Sequence, residues 1–154
     1  MHNSIQKYKD IISAIDKKLE EQKIKYTPKV IAVSKTFKLE KILPLIEYGH
    51  LDFGENKVQE AIDKWSGIKI KKQNIKLHLI GKLQTNKVKH ALKIFDYIHS
   101  VDSMKLAKKI ADEQNKINKK IKIFLQVNIG DESQKSGINK SDVNKLVSYC
   151  NGID

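Results

Sequence analysis

The chain contains no arginine. All 30 of its basic residues are lysine, set against 18 Asp and Glu, for a formal net charge of +12. Arginine supplies the planar fork that reads guanine bidentately and stacks on bases, so its absence counts against a dedicated nucleic-acid reader. The lysines are spread along the whole chain rather than gathered in one block, which reads as a solvated surface. A single cysteine, Cys150, excludes an internal disulfide and a multi-cysteine metal site, and fits a reducing compartment. Its neighbours Val143, Leu146 and Val147 place it on an apolar helical face, the setting of a core thiol. Glycine is scarce, at seven residues, and no GxGxxG, Walker loop, CxxC or HExxH is present. No apolar run approaches the ~20 residues a membrane helix needs. The N-terminal "MHNSIQKYKD" is polar and lacks the apolar region of a signal peptide. The expectation is a soluble, cytoplasmic protein with no membrane partner.

With 40% hydrophobic residues in 154, the composition is that of one globular domain over residues 1–154. Residues 4–23 carry Ile5, Tyr8, Ile12, Ile15 and Leu19 at spacings of three and four, one face of an amphipathic helix. Pro28 stops helical structure before the short β-branched strand "VIAVSK". "LEKILPLIEYGH" reads as a helix stopped by Gly49, with Pro44 as a kink or a break inside it. "LDFGEN", "KLHLIG" and "DYIHSV" are strands, separated by helices through Trp65 and through "TNKVKHALKIF". Ser103 caps the next helix. "IKIFLQVNI" (121–129) is the clearest strand, and the polar loop "GDESQKSGINKSD" leads to a last helix near Cys150. A helix followed by five strand–helix units implies parallel strands with right-handed crossovers. An open doubly wound sheet and a (β/α) barrel both fit, and length alone favours the open sheet.

In either architecture ligands bind at the C-terminal strand ends. Those ends carry Ser34-Lys35-Thr36, Gly54-Glu55-Asn56, His78 with Gly81, His99-Ser100, and Gln126 with Asn128. Lys35 shares strand parity with Ile31 and Val33, so it extends an apolar row. Two roles suit it: a stem packed on the core with its ammonium in water, or a partly desolvated nucleophilic amine. His78 shares parity with Ile80 and reads either as a hydrogen-bonded core histidine or as a site residue. Glu55 and Asn56 fit a general base and a ligand contact, and equally the start of the next helix, where the dipole favours acids.

Five motifs then occur in a familiar order and spacing: "AVSKT", "FGENKVQEA", "LHLIGKLQTNKVK", "IHSVDS" and "LQVNIGDESQKSGI". From about residue 5 to its end the chain resembles the pyridoxal phosphate homeostasis family. The resemblance implies an α/β fold: a (β/α) TIM-type barrel of the alanine racemase N-terminal type, here incomplete, with about five parallel strands after an N-terminal helix. It implies that Lys35 holds pyridoxal 5′-phosphate (PLP) as a Schiff base. Asn56 in "FGEN", His78 in "LHLIG" and Asn128 in "QVNI" match motif positions near that pocket. Lys135 in "ESQKSG" matches a lysine near the mouth, where it would serve as a secondary acceptor of the aldehyde. Family members are longer, so the chain reads as a truncated member lacking the last three strands, the serine- and glycine-rich phosphate cup and the basic partner of the pyridine nitrogen.

The implied function is a non-catalytic carrier in intracellular PLP homeostasis that passes the cofactor to PLP-dependent apo-enzymes. The alternative, a PLP-dependent amino-acid racemase, needs a second base from a separate C-terminal β domain that this sequence does not supply. A basic RNA-binding module is a third reading, disfavoured by the lack of arginine and of aromatic-rich strand motifs.

Overall fold

The strand–helix alternation builds a five-stranded parallel sheet. A computed structural model of the chain describes residues 3–130 and 136–152. The first helix, α1, is Asn3–Glu21, and none of its residues is fully buried. Tyr8 ties it down by edge-on contacts to Tyr48 and His50, with ring centroids 6.0 and 4.8 Å apart. Five strands follow: β1 (Ala32–Val33), β2 (Asp52–Glu55), β3 (Lys76–Leu79), β4 (Tyr97–Val101) and β5 (Lys122–Leu125). They lie side by side in sequence order, all parallel. Between them run α2 (Leu39–Tyr48), α3 (Val58–Lys71), α4 (Val88–Ile94, entered through a 3-10 turn at Thr85–Lys87) and α5 (Met104–Lys116).

Local signals set several boundaries. Gly49 ends α2 in the left-handed region (φ 102°), and the amides of Gly49 and His50 close back onto the carbonyls of Ile46 and Leu45. Helix α2 runs on through Pro44 without a break. Ser103 caps α5 as expected, its hydroxyl accepting the Leu106 N–H at 3.3 Å.

The expected single strand over 121–129 is instead two. The Gln126 N–H makes the last bond to β4, at the Val101 carbonyl (2.8 Å). Past Val101 the β4 chain turns away into α5, so residue 127 has no neighbour on that side to pair with. The Gln126 carbonyl accepts the Ile138 N–H instead (2.8 Å). β6 (Val127–Asn128) then pairs in parallel with β7 (Ile138–Asn139), a strand inside the stretch expected to be loop. Helix α6 (Val143–Asn151) follows, with Cys150 half-buried on it.

Strand parity divides the sheet into two faces. Phe53, Leu77, Leu79 and Ile98 are fully buried in one core with Trp65, Val88 and Leu92 of the helices. The register Val33–Gly54–His78–Tyr97–Lys122 lies on the opposite face. That face is open at both margins: Val33 is 48% exposed and Phe124 51%. Lys35 continues the Val33 row past the end of β1. Helices cover one face of the five parallel strands, and the second face is the one that would be the inner face of the expected incomplete barrel.

Candidate functional site

Strand β1 is shorter than the expected "VIAVSK", although the Ser34 N–H still bonds the Gly54 carbonyl at 2.9 Å. Ser34 is buried toward the helices, and the next residue, exposed Lys35, opens the turn that leaves the strand end. Among the described residues no carboxylate pairs with Lys35. The chain then turns sharply. Thr36 has φ 65°, an outlier for a β-branched residue, and the Phe37 N–H closes onto the Ser34 carbonyl at 3.2 Å.

Behind this turn stands a polar cluster that sequence reasoning did not assemble. Glu55 is fully buried on the helix side, in parity with Phe53. It neither starts a helix nor faces the inner surface as a base would. Its Oε1 accepts from Ser34 Oγ (2.8 Å), Lys64 Nζ (2.9 Å) and Trp65 Nε1 (3.0 Å). Lys64 also donates to the Ser34 carbonyl at 2.9 Å, and Glu60 accepts the Thr36 N–H at 3.0 Å. The parity of residue 55 with Phe53 was the available signal that this acid points to the core side.

Asn56 lies half-buried just past β2, beside the β1 end that carries Lys35. Its backbone is held close to the β3 end: a Cβ on Gly81 would sit 2.3 Å from the Asn56 carbonyl oxygen, so only glycine fits there. His78 is buried one register row inside. Its Nε2 meets Asp52 Oδ1 at 3.0 Å and its Nδ1 meets His99 Nε2 at 2.9 Å. Asp52, held also by Lys29 Nζ at 3.1 Å, accepts the His78 Nε2–H. With neutral His78, its Nδ1 is then an acceptor, and His99 donates Nε2–H to it. His78 stacks on Tyr97 (centroids 4.2 Å) and His99 on Phe124 (4.4 Å). Burial pulls both histidines below their ordinary pKa, the neighbouring His78 adding to the effect at His99. Burial works to raise Asp52, but hydrogen bonds from His78 and Lys29 outweigh it and leave the carboxyl below its usual range.

Lys35 and Asn56 thus come together on adjacent strand ends, with His78 on the next strand and deeper. Asn128 does not join them on the five-stranded sheet. It is buried in the β6–β7 pair, where Gly137 (φ 128°) lets the backbone pass close to it. Lys135 lies outside the described residues. A cavity of about 470 Å³ between α1, β1 and α2 is lined by Val33, Phe37 and Phe53 and does not include Lys35.

These features define the class. A family model described as "Alanine racemase, N-terminal domain" matches residues 12–153, and the chain belongs to that family. Within it, the chain is similar to the pyridoxal phosphate homeostasis protein of Haemophilus influenzae, at 35% identity over 135 residues, covering 87% of this chain and 56% of that one. To the protein of that name in Buchnera aphidicola it is 41% identical over 118 residues, covering 77% and 51%. Among solved structures, PipY of Synechococcus elongatus PCC7942 with PLP bound aligns at TM-score 0.75 and 32% identity, over 91% of this chain and 65% of that one. An alanine racemase of Clostridium difficile 630 aligns at TM-score 0.63 and 16% identity, over 82% and 33%, a likeness of fold alone. The chain spans about half the length of the curated relatives it matches.

Proposed function

We propose that the chain belongs to a cytoplasmic PLP homeostasis protein that holds the cofactor covalently and reversibly at Lys35 and releases it to PLP-dependent apo-enzymes, without turnover of its own. The observation that carries this reading is the setting of Lys35. Lys35 directly follows a parallel-strand end, is exposed, and pairs with no carboxylate among the described residues. The residues present fit an aldehyde-bearing group: an amine with open access, the polar Asn56 on the adjacent strand end, and a histidine pair below. PLP supplies a carbonyl carbon that condenses with an amine, forming a carbon–nitrogen bond as water leaves. In this reading Asn56 and His78 contact the bound cofactor, with Asn128 and Lys135 at the edge of the pocket. The racemase likeness at 16% identity concerns fold, while the relatives above 30% are named for homeostasis.

The test is direct. The protein mixed with PLP is expected to develop an absorbance band near ~420 nm, the signature of a lysine-bound cofactor. Lys35→Ala should abolish it, and borohydride reduction followed by peptide mass analysis should place the label on residue 35. A label elsewhere, or none, refutes the reading. Alanine racemisation lost with Lys35→Ala would replace the carrier by an enzyme.

A further inference from the structure

We propose that Glu55, Lys64 and Glu60 form a positioning device that sets the peptide units on either side of Lys35 from behind the sheet, and so aims its amine into the barrel. The inference rests on the proposed function, because it assigns these residues a task in holding the cofactor. None of the three has to touch PLP. Ser34 faces the helices and the exposed Lys35 side chain makes no hydrogen bond or ion pair with the network among the described residues, so the network acts through the backbone.

The grip has two ends. On one side of Lys35, the Ser34 carbonyl accepts from Lys64 Nζ at 2.9 Å while the Ser34 hydroxyl donates to Glu55 at 2.8 Å. On the other side, the Thr36 N–H donates to Glu60 Oε1 at 3.0 Å. The two ends are joined, since Lys64 Nζ lies 2.9 Å from Glu55 and 3.8 Å from Glu60. Glu60 and Lys64 are one helical turn apart on α3, so a single rigid element carries both contacts.

The backbone between the two ends is strained. Thr36 at φ 65° occupies a region that β-branched residues avoid. Such a conformation persists only where the surroundings over-determine it, and it is characteristic of sites that hold a group ready. Glu60 bonds the amide of that same residue. Released, Thr36 would relax to negative φ, and the direction in which the chain leaves Lys35 would change. A buried ion pair is poor evidence for stability, since an apolar replacement is often as good. This pair does have a geometric consequence, at one lysine.

The experiment compares Glu60→Ala and Glu60→Gln with the wild-type chain. Glu60 is partly exposed, at 32% of its side chain, so both variants should fold, which the thermal midpoint checks. Two readouts are taken: hydrogen exchange at the Thr36 amide, and the dissociation constant for PLP bound at Lys35. A hydrogen bond to a charged group is worth roughly tenfold in an equilibrium constant, so Glu60→Ala should speed Thr36 exchange and weaken PLP each by about tenfold. Glu60→Gln should restore both, because its amide oxygen accepts the same N–H. The inference is overturned if Glu60→Ala binds PLP as wild type does, or if Glu60→Gln fails to restore binding while restoring Thr36 protection. Lys35→Ala separates the two levels. If wild type does not bind through Lys35, the proposed function fails and takes this inference with it. If wild type does bind there and Glu60→Ala is indifferent, the positioning inference alone fails.

Discussion

Replacing Lys64 by methionine tests the buried network as a whole. The Lys64 side chain is 10% exposed and its partner Glu55 is 0% exposed, with 2.9 Å between Nζ and Oε1. At that separation two unit charges attract by about 6 kcal/mol for an effective dielectric near 20, before the cost of removing both from water. That cost cancels much of the attraction in the intact pair. The balance changes when one partner is deleted, because Glu55 then keeps its desolvation penalty without a cation. Breaking a buried pair this way costs about 3–5 kcal/mol. Glu55 retains donors from Ser34 and Trp65, which places Lys64→Met near the low end, about 3 kcal/mol. For a chain of this size that is a fall of roughly 6–12 °C in Tm. Urea unfolding of Lys64→Met, Glu55→Gln and the double variant provides the assay. The double variant carries no uncompensated charge, so its loss should fall short of the summed single losses by about 2 kcal/mol. A Lys64→Met loss under about 1 kcal/mol, or strict additivity in the cycle, would refute the assignment of Glu55 as a charge dependent on Lys64.

Two further perturbations read other parts of the structure. His50, His78 and His99 are all held below the ordinary histidine range, with burial the leading cause. On acidification the unfolded chain takes up protons first, near its unperturbed value of about 6.5, while the folded chain resists. Stability present above that pH should therefore fall as pH drops below it, and the urea midpoint at pH 5.5 should lie below that at pH 7.5; an unchanged or higher midpoint contradicts the burial argument. Asp52 is depressed instead, so its contribution is lost only at lower pH, below the ordinary carboxylate range. At the strand ends, Gly81→Ala would bring a Cβ to 2.3 Å from the Asn56 carbonyl oxygen and 2.9 Å from its Cα, both backbone atoms that cannot swing aside. A cost of about 2 kcal/mol is expected by chemical denaturation. Gly67→Ala in α3 meets nothing within 4 Å and should instead stabilise by about 0.5–1 kcal/mol, so equal effects at the two sites would sink the packing argument.

The parts of the fold legible in the sequence are those decided within a few residues. The left-handed stop at Gly49 and the cap at Ser103 follow from local chemistry and stand where expected, and the β-branched run before Ser34 forms a strand, shorter than expected. The division of residues 121–129 into β5 and β6 was not legible. It depends on where β4 turns away, and no periodicity within the segment records its neighbour's end. The site divides in the same way. Lys35, Asn56 and His78 stand at or near strand ends that could be located one at a time. The His78–His99 contact spans 21 positions, as does Ser34–Glu55, and such pairings are set by strand register rather than by local pattern.

That division has a physical reason in the alternation of a strand. Consecutive residues at one strand end serve opposite faces, so Ser34 and Lys35, like Glu55 and Asn56, are assigned to different tasks by parity alone. Ser34 meets Lys64 of α3 and Glu55 meets Lys64 and Trp65, while Lys35 is exposed and Asn56 half-buried at the neighbouring strand ends. On the proposed function, a ligand at the inner face meets Lys35 and Asn56, while Ser34 and Glu55 are buried behind it. Rigidity at that face must therefore be supplied through the backbone. The shared carboxylate Oε1 of Glu55, with its three donors from β1 and α3, is the point where the outer layer acts on both strand ends at once. Glu55, left open by the sequence between a general base and the start of the next helix, stands instead as the buried anchor behind that face.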